Sequence, residues 1–376
     1  MTRVFRSPSA YVQGREILET VGEHIDADVD VDVDGDGDGG QAVVIADETV
    51  LEIAADPLEA GLEASGFAVD RITFGGGCTH EEIDRLGRHA TGADVVVGVG
   101  GGRALDVAKA VRSDVDARLI TVPTIASTDA PTSSLSVVYT EHGEFDEFRF
   151  HGTNPDLVLV DTAVIARAPV RHFRSGIADA IATWYEADTA YRAAAENIFE
   201  GRPTRTAHAI ARTCHRTIRE HGRGAIAAVE RDGVTESVEA VVEANTLMSG
   251  IGFESGGLAA AHSVHDGLTR VAATHDATHG EKVNLGTLTQ LVLEGRETSE
   301  IIELIDFSLE LGLPVSLSDV GLDDPTDERL RTIAEATCEP FETIHNEPFD
   351  VTPAAVRDAL LTVDELSQRR RTDDPS

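Results

Sequence analysis

Residues 93–111 read ADVVVGVGGGRALDVAKAV. A valine run long enough for one strand passes into glycines and then into a segment with helical period. Strand, glycine turn and helix in that order form the repeating unit of a parallel α/β sheet. The same texture lies on both sides. AVVIAD (42–47), RLITVPT (118–124) and DLVLVD (156–161) are short, rich in Val, Ile or Leu, and followed by turn residues. Strands buried on both faces read this way. The helical patterns EEIDRLGRHA (81–90) and ALDVAKAV (104–111) fall between them. After Pro169 the texture changes to Ala-rich helical segments: IADAIATWYEADTAYRAAAENIF (177–199), TRTAHAIARTCHRTIREH (204–221) and ESVEAVVEANTLMSGIGF (236–253). The expected organisation is an α/β domain with a mostly parallel sheet over 1–168 and an all-helical domain over 169–376. The boundary is expected near APVRHFRSG (168–176), and RRRTDDPS as a frayed tail.

The charge balance narrows the function. Asp and Glu total 67 against 31 Lys and Arg, a net charge of −36, and the chain has two lysines, Lys109 and Lys282. Such a chain repels nucleic acid and anionic membranes. Surplus carboxylates with few lysines read as the solvated surface of a halophile's protein. No apolar run approaches the roughly 20 residues of a bilayer span, and the N-terminal stretch lacks an apolar signal core. Three widely spaced cysteines, Cys78, Cys214 and Cys338, form no disulfide framework. A soluble cytoplasmic protein with reduced thiols is expected.

The glycine turn admits two readings. It is a tight strand–helix junction, or a place where backbone N–H groups and a helix N-terminus meet a phosphate. It is not the GxGxxG fingerprint, because Arg103 stands where the third glycine should be. Gly100, Gly101 and Gly102 exceed what a turn requires, and a second small-polar loop, PTIASTDAPTSSLSVVY (123–139), follows the next strand. Asp47 ends an early strand, where an acid accepts from a ribose diol or caps a helix.

Residues 256–283 carry four histidines, His262, His265, His275 and His279, in a small-residue setting. The spacing matches neither HExxH nor a Cys/His finger, so metal ligands and core histidines both remain open. Asp179, on the apolar face of an Ala-rich helix, is a carboxylate that needs a partner if buried. In the acidic stretch DADVDVDVDGDGDGG (26–40), Asp30, Asp32, Asp34 and Gly35 have the opening spacing of an EF-hand loop. The position of the bidentate Glu is Gln41, or Val43 or Ile45 in later registers. An acidic surface loop is the plainer reading of it.

SGIADAIATWYEAD (175–188), ESGGLAAAHSVHDGL (254–268), THGEKVNLGTL (278–288), TIASTDAPTSSLSVVY (124–139) and ETIHNEPFDVTP (342–353) resemble the glycerol dehydrogenases, within the iron-containing alcohol dehydrogenase and dehydroquinate synthase superfamily. The resemblance runs from about residue 42 to about 360. It implies an active site in the cleft between a nucleotide-binding α/β domain and a helical domain. The implied metal ligands are Asp179, His262 and His279, with His265 nearby as a proton-relay or substrate group and no role for His275. The iron-dependent branch has another His four residues after the Asp; here that position is Thr183. Three ligands and an open position imply zinc, another divalent metal being the alternative. The family's GGGK pattern, followed by an Asp, falls on Gly100, Gly101, Gly102, Arg103 and Asp106, with Arg in place of Lys. The second loop contributes Thr124, Ser127, Ser133, Leu135 and Tyr139 to the cofactor, and Asp129 to substrate. Ala178 replaces a usual glycine.

The implied activity is NAD-dependent, zinc-dependent oxidation of glycerol, or a related small vicinal diol, to dihydroxyacetone in the case of glycerol. Asp47 would repel a 2′-phosphate and favour NAD over NADP. The implied partners are a small polyol and further copies of the chain. An sn-glycerol-1-phosphate dehydrogenase or a dehydroquinate-synthase-like lyase on the same fold would have to hold an anionic substrate. The stretch around the histidines offers only Lys282 and Arg270 for that. A calcium-binding module built on 26–40 leaves the Asp and His motifs unexplained.

The charge sets an expected salt response. The Debye length is about 10 Å at about 0.1 M salt and about 3 Å at about 1 M, so most of the repulsion between neighbouring carboxylates disappears over that range. Activity and thermal midpoint should rise steeply between these concentrations, measured by initial rates and thermal unfolding in a salt series. Deleting Asp30 to Gly39 should leave activity within a few-fold of the parent at high salt; loss of activity there would place the acidic loop in the site.

Overall fold

The strands of the chain are β1 (Ala10–Gly14), β2 (Gln41–Ala46), β3 (Ala68–Thr73), β4 (Val95–Gly100), β5 (Arg118–Pro123), β6 (Leu135–Tyr139), β7 (Phe145–Phe150) and β8 (Leu157–Asp161). They come from a computed structural model that describes residues 2–25, 40–141 and 145–373. The acidic stretch, on which the calcium reading falls, lies outside the described residues apart from Gly40.

Six strands form one parallel sheet in the order β1-β8-β5-β4-β2-β3. Helices α1 (Asp56–Ala64), α2 (His80–His89), α3 (Gly102–Val115) and α4 (Thr162–Arg167) follow β2, β3, β4 and β8. The expected βα alternation is therefore present. The β6–β7 pair is a separate antiparallel hairpin.

Neighbouring residues of the central strands enter opposite cores. Val44, Val95, Val97 and Leu159 pack with Leu58 and Leu62 on one face, and Val43, Ile45, Val96 and Leu119 with Ile83, Leu86 and Val107 on the other. The four central strands are the ones the apolar runs reveal. Both edge strands escape that signal. β1 (AYVQG) and β3 (AVDRIT) are half-buried or exposed, so neither needs a continuous apolar run.

The later helices are α5 (Val170–Ala193), α6 (Arg205–Val229), α7 (Glu236–Glu243), α8 (Ser249–Gly256), α9 (Ala260–Thr269), α10 (His279–Leu293), α11 (Thr298–Glu310), α12 (Asp327–Thr337) and α13 (Pro353–Asp373). No helix among the described residues is long and apolar enough to cross a membrane. The described part of the RRRTDDPS stretch, residues 369–373, is helical rather than frayed as expected. α13 continues to Asp373, with Arg370 on Asp306 (2.5 and 3.0 Å) and Arg371 on Asp319 (2.5 Å).

The chain divides into two units, and the division is not one cut near residue 168. One unit comprises Arg6–Val170 and Ala227–Gly250; the other comprises Met1–Phe5, Arg171–Ile226 and Ile251–Ser376. The segment containing α7 belongs with the sheet because it is bonded to it. Gln13 of β1 donates to the Glu239 carbonyl (2.9 Å) and carboxylate (2.7 Å), and Thr162 donates to the same carboxylate (2.7 Å). The Tyr11 hydroxyl lies 2.8 Å from the Thr246 hydroxyl.

Within the α/β unit, Lys109 of α3 is buried to 1% exposure. Its ammonium donates to Asp106 (3.0 Å), to the Ser133 hydroxyl (2.8 Å) and to the Leu135 carbonyl (3.0 Å). One buried cation thus joins the helix after the glycine turn to the second loop. Removing one partner of such a pair leaves the other charge buried and uncompensated. Lys109→Met is expected to cost about 3–5 kcal/mol, read as a fall in denaturant midpoint. The double variant Asp106→Asn/Lys109→Met should recover part of that loss; no recovery would mean that the ion pair is not the source.

Candidate metal centre and cofactor loop

The metal candidate is built on α5. Its segment SGIADAIATWYEAD has small residues around Asp179, which is buried to 1% exposure. Asp179 Oδ1 lies 3.2 Å from His279 Nε2 and 3.4 Å from His262 Nε2. One ligand atom from each residue falls within 4.8 Å of the others. Burial alone would raise the Asp179 pKa, but the imidazoles of His279 and His262 outweigh it and hold the carboxyl below the usual range. Its second oxygen, Oδ2, is buried without a hydrogen-bond partner. An orphaned anionic oxygen is costly in a protein interior. A cation among these three donors removes that cost, so the residues present fit a metal.

Local sequence explains why His279 arrives there. Thr278 caps α10 and forms a capping box with Glu281, which makes His279 the first helical residue. Arg171 of α5 holds the same Glu281 through two bonds (2.8 and 2.7 Å) and also donates to the Asp276 carbonyl. The next residue must be glycine, because a Cβ on Gly280 would stand 1.9 Å from the Ser175 carbonyl oxygen. That close approach sets the start of α10 against α5, one helical turn before Asp179.

His262 arrives from α9, whose N-cap, Ala259, has no capping side chain of its own. The caps come from neighbouring helices. Glu186 of α5, seven residues beyond Asp179 and so on the same face, accepts from Ala259 N (3.1 Å) and His262 N (3.0 Å). Gln290 of α10 accepts from Ala261 N (3.0 Å). Glu186 also accepts from His262 Nδ1 at 2.5 Å. Burial would lower the His262 pKa, but the Glu186 and Asp179 carboxylates outweigh it and raise it well above its ordinary value.

His265 lies one turn on, but its contacts are with another histidine rather than with Asp179. Its Nε2 lies 3.0 Å from His279 Nδ1, and its Nδ1 lies 2.9 Å from Asp266. Burial, helped by His279, pushes His265 down to about 4, so it is neutral near pH 7. Asp266 then accepts a hydrogen bond from His265 Nδ1, which leaves His265 Nε2 to accept from His279 Nδ1. His275 is exposed and bonds the Thr269 carbonyl. Thr183 donates to the Asp179 backbone carbonyl (3.3 Å), and its methyl group faces Gly252.

The α/β unit holds the other residues. Gly100 adopts φ +144°, a backbone that favours glycine, and Gly101 begins α3 without a side-chain cap. Thr124 N donates to the Gly100 carbonyl (3.1 Å), which joins the glycine turn to the second loop. Gly101 and Gly102 are half-buried, and Arg103 is exposed with its guanidinium carbon 5.6 Å from the Tyr139 ring centroid. Thr124, Ser127 and Ser133 are buried. Asp106 differs from Arg103: it is buried, bonded to Lys109 and accepting from Val137 N (3.2 Å). Asp129 is half-buried and accepts from the Ser249 hydroxyl (3.2 Å). Asp47 caps the short helix Glu48–Val50 by accepting from Val50 N (2.9 Å).

Four residues escaped the sequence reading, and each had left a signal. Lys109 is one of two lysines and stands three residues after Asp106. Glu186 is a charged residue on the alanine face that carries Asp179. Thr278 and Glu281 have the T-x-x-E spacing of a capping box.

Residues 8–162 match the family profile described as iron-containing alcohol dehydrogenase. The chain is 54% identical to the glycolaldehyde reductase of Halobacterium salinarum, over 99% of this chain and 100% of that one. It is 45% identical to a glycerol dehydrogenase of Pseudomonas putida, over 98% of this chain and 99% of that one. The crystal structure of glycerol dehydrogenase from Schizosaccharomyces pombe superposes with a TM-score of 0.93 at 39% identity, covering 99% of this chain and 92% of that one.

Asp179→Ala, His262→Ala and His279→Ala should each lose bound metal by elemental analysis while far-ultraviolet circular dichroism stays close to the parent. His275→Ala should retain the parent's metal content. Full occupancy in His262→Ala would remove that histidine from the ligand set.

Proposed function

The chain belongs to the iron-containing alcohol dehydrogenase family, and we propose that it oxidises glycerol, or a related small vicinal diol, with NAD and a zinc ion; glycerol would give dihydroxyacetone. The observation that carries this reading is the Asp179–His262–His279 cluster with its unpartnered buried oxygen. Zinc rather than iron is supported by Thr183, whose hydroxyl is turned to a backbone carbonyl and adds no fourth ligand from that turn. Three protein ligands leave a coordination position open, as catalytic zinc sites do.

When bound, the metal supplies Lewis acidity that lowers the pKa of an alcohol. The nicotinamide supplies the hydride acceptor. The remaining work falls to the chain. Asp179, His262 and His279 hold the ion. Asp129 accepts a hydrogen bond from a second substrate hydroxyl, which favours a diol over a simple alcohol. The hydroxyl proton leaves through water or His265. Gly100, Gly101 and Gly102, with the open start of α3, receive the cofactor's phosphates. Arg103 adds positive charge there in place of the family's lysine, without the same geometry. Asp47 accepts from the ribose diol with the carboxylate that caps its helix. Thr124, Ser127, Ser133, Leu135 and Tyr139 complete the cofactor side. Asp106 acts through Lys109, which binds Ser133 and Leu135.

A second substrate has a specific observation behind it. The relative at 54% identity is a glycolaldehyde reductase. Reduction of a hydroxyaldehyde is the same reaction run backwards on a smaller carbon chain, and it needs no change in the residues proposed here. A phosphorylated substrate is less well supported. Arg270 is paired with Glu339 (3.5 Å), and Lys282 donates to the Ala277 carbonyl (3.1 Å). Assembly into a homo-oligomer follows from the family resemblance. A cytoplasmic setting fits the three free cysteines.

The test is a cofactor assay at high salt, with and without added zinc. NAD reduction should be faster with glycerol or propane-1,2-diol than with glycerol 1-phosphate, and NADH oxidation should proceed with glycolaldehyde. NAD should outcompete NADP, and Asp47→Ser should narrow that preference. A parent enzyme that prefers glycerol 1-phosphate or NADP would overturn the corresponding assignment.

A further inference from the structure

We propose that Glu186 is a positioning residue of the metal centre: it holds the His262 proton on Nδ1 and thereby keeps Nε2 as the ligand atom. The inference rests on the metal reading of Asp179, His262 and His279.

Glu186 is buried to 0% exposure. It accepts three hydrogen bonds, from Ala259 N (3.1 Å), His262 N (3.0 Å) and His262 Nδ1 (2.5 Å). A carboxylate can only accept, so the Nδ1 it faces must donate. With the Nδ1 proton held there, Nε2, 3.4 Å from Asp179 Oδ1, is the nitrogen that gives up its proton when a metal binds. Glu186 is not among the residues whose ligand atoms converge. It faces the opposite edge of the imidazole, so its influence passes through His262. Because Oε1 also binds two amides of the first turn of α9, the ring and its backbone are held together. The plainer alternative is that Glu186 only caps α9.

Glu186→Gln separates the two roles. The amide oxygen can still accept from Ala259 N and His262 N, so the cap survives. The amide nitrogen then faces Nδ1 as a donor and requires that atom to accept, which moves the ring proton to Nε2. A capping role alone leaves zinc affinity unchanged. The positioning role weakens it by about 10- to 100-fold, the usual effect of losing a partner behind a ligand.

The experiment is a zinc competition titration against a chelator, using the full chain at high salt, beside thermal unfolding of the metal-free forms. The expected result is an unchanged metal-free midpoint with weakened zinc affinity. Parent-like affinity in Glu186→Gln overturns the inference. A second measurement needs no variant: cadmium-113 substituted into the parent with nitrogen-15 histidine should couple to His262 Nε2. Coupling to Nδ1 overturns it equally. If His262→Ala keeps its full metal content, the metal reading itself has failed. If His262→Ala loses metal and Glu186→Gln binds as the parent does, only the role of Glu186 has failed.

Discussion

Asp179 puts a charge where water cannot reach it. A carboxylate at 1% exposure has to be compensated by neighbours. Two imidazoles meet its Oδ1, one from α9 and one from α10. Neither could do so without its own support. His262 is fixed by the first-turn amides of α9, which end on Glu186, and His279 by the capping box and the Gly280 contact. Each ring's second nitrogen is also taken, by Glu186 on one side and by the His265–Asp266 pair on the other. The start of two helices and the orientation of two rings are therefore settled by the same few buried polar groups. The small residues of α5 follow from this requirement, since bulk near Asp179 would keep the other helices away.

What the sequence made legible depended on how much of a signal lies in one place. The central strands could be read because burial on both faces forces a continuous apolar run. The edge strands β1 and β3, open on one side, carry Tyr11, Gln13, Asp70 and Arg71, and have no such run. The metal candidates could be named because three motifs lay in order along the chain. Glu186 stood out only as a charge on the alanine face; its partners are 73 and 76 positions away, and their spacing gives no pattern that names its role. Asp106 fits a family pattern in sequence, yet its side chain turns inward to Lys109, because a glycine-rich turn does not specify which face the fourth following residue takes. The helical boundary read at residue 168 overlooked Ala227–Gly250, whose attachment to the sheet runs through Glu239 and Thr246.

The α/β unit solves a similar problem with the opposite charge. Lys109 is a buried cation whose three donors are used on three different acceptors. It draws Ser133 and Leu135 toward α3, while the Thr124–Gly100 bond draws the start of the same loop toward the glycine turn. The loop is thus pinned near both ends, and the residues between, Ser127 and Asp129 among them, are carried on a defined path.

The second lysine, Lys282, is buried as well, at 7% exposure and with its ammonium on the Ala277 carbonyl. The chain has no others, so the permanently charged cationic side chains it shows to solvent are arginines. Hydroxyaldehydes and hydroxyketones condense with free amines to form imines, and lysine is the side chain that provides such an amine. Guanidinium stays protonated at any ordinary pH and does not offer an unprotonated nitrogen. A surface without an accessible ε-amino group therefore gives small carbonyl compounds no lysine to glycate, however long they remain around the protein.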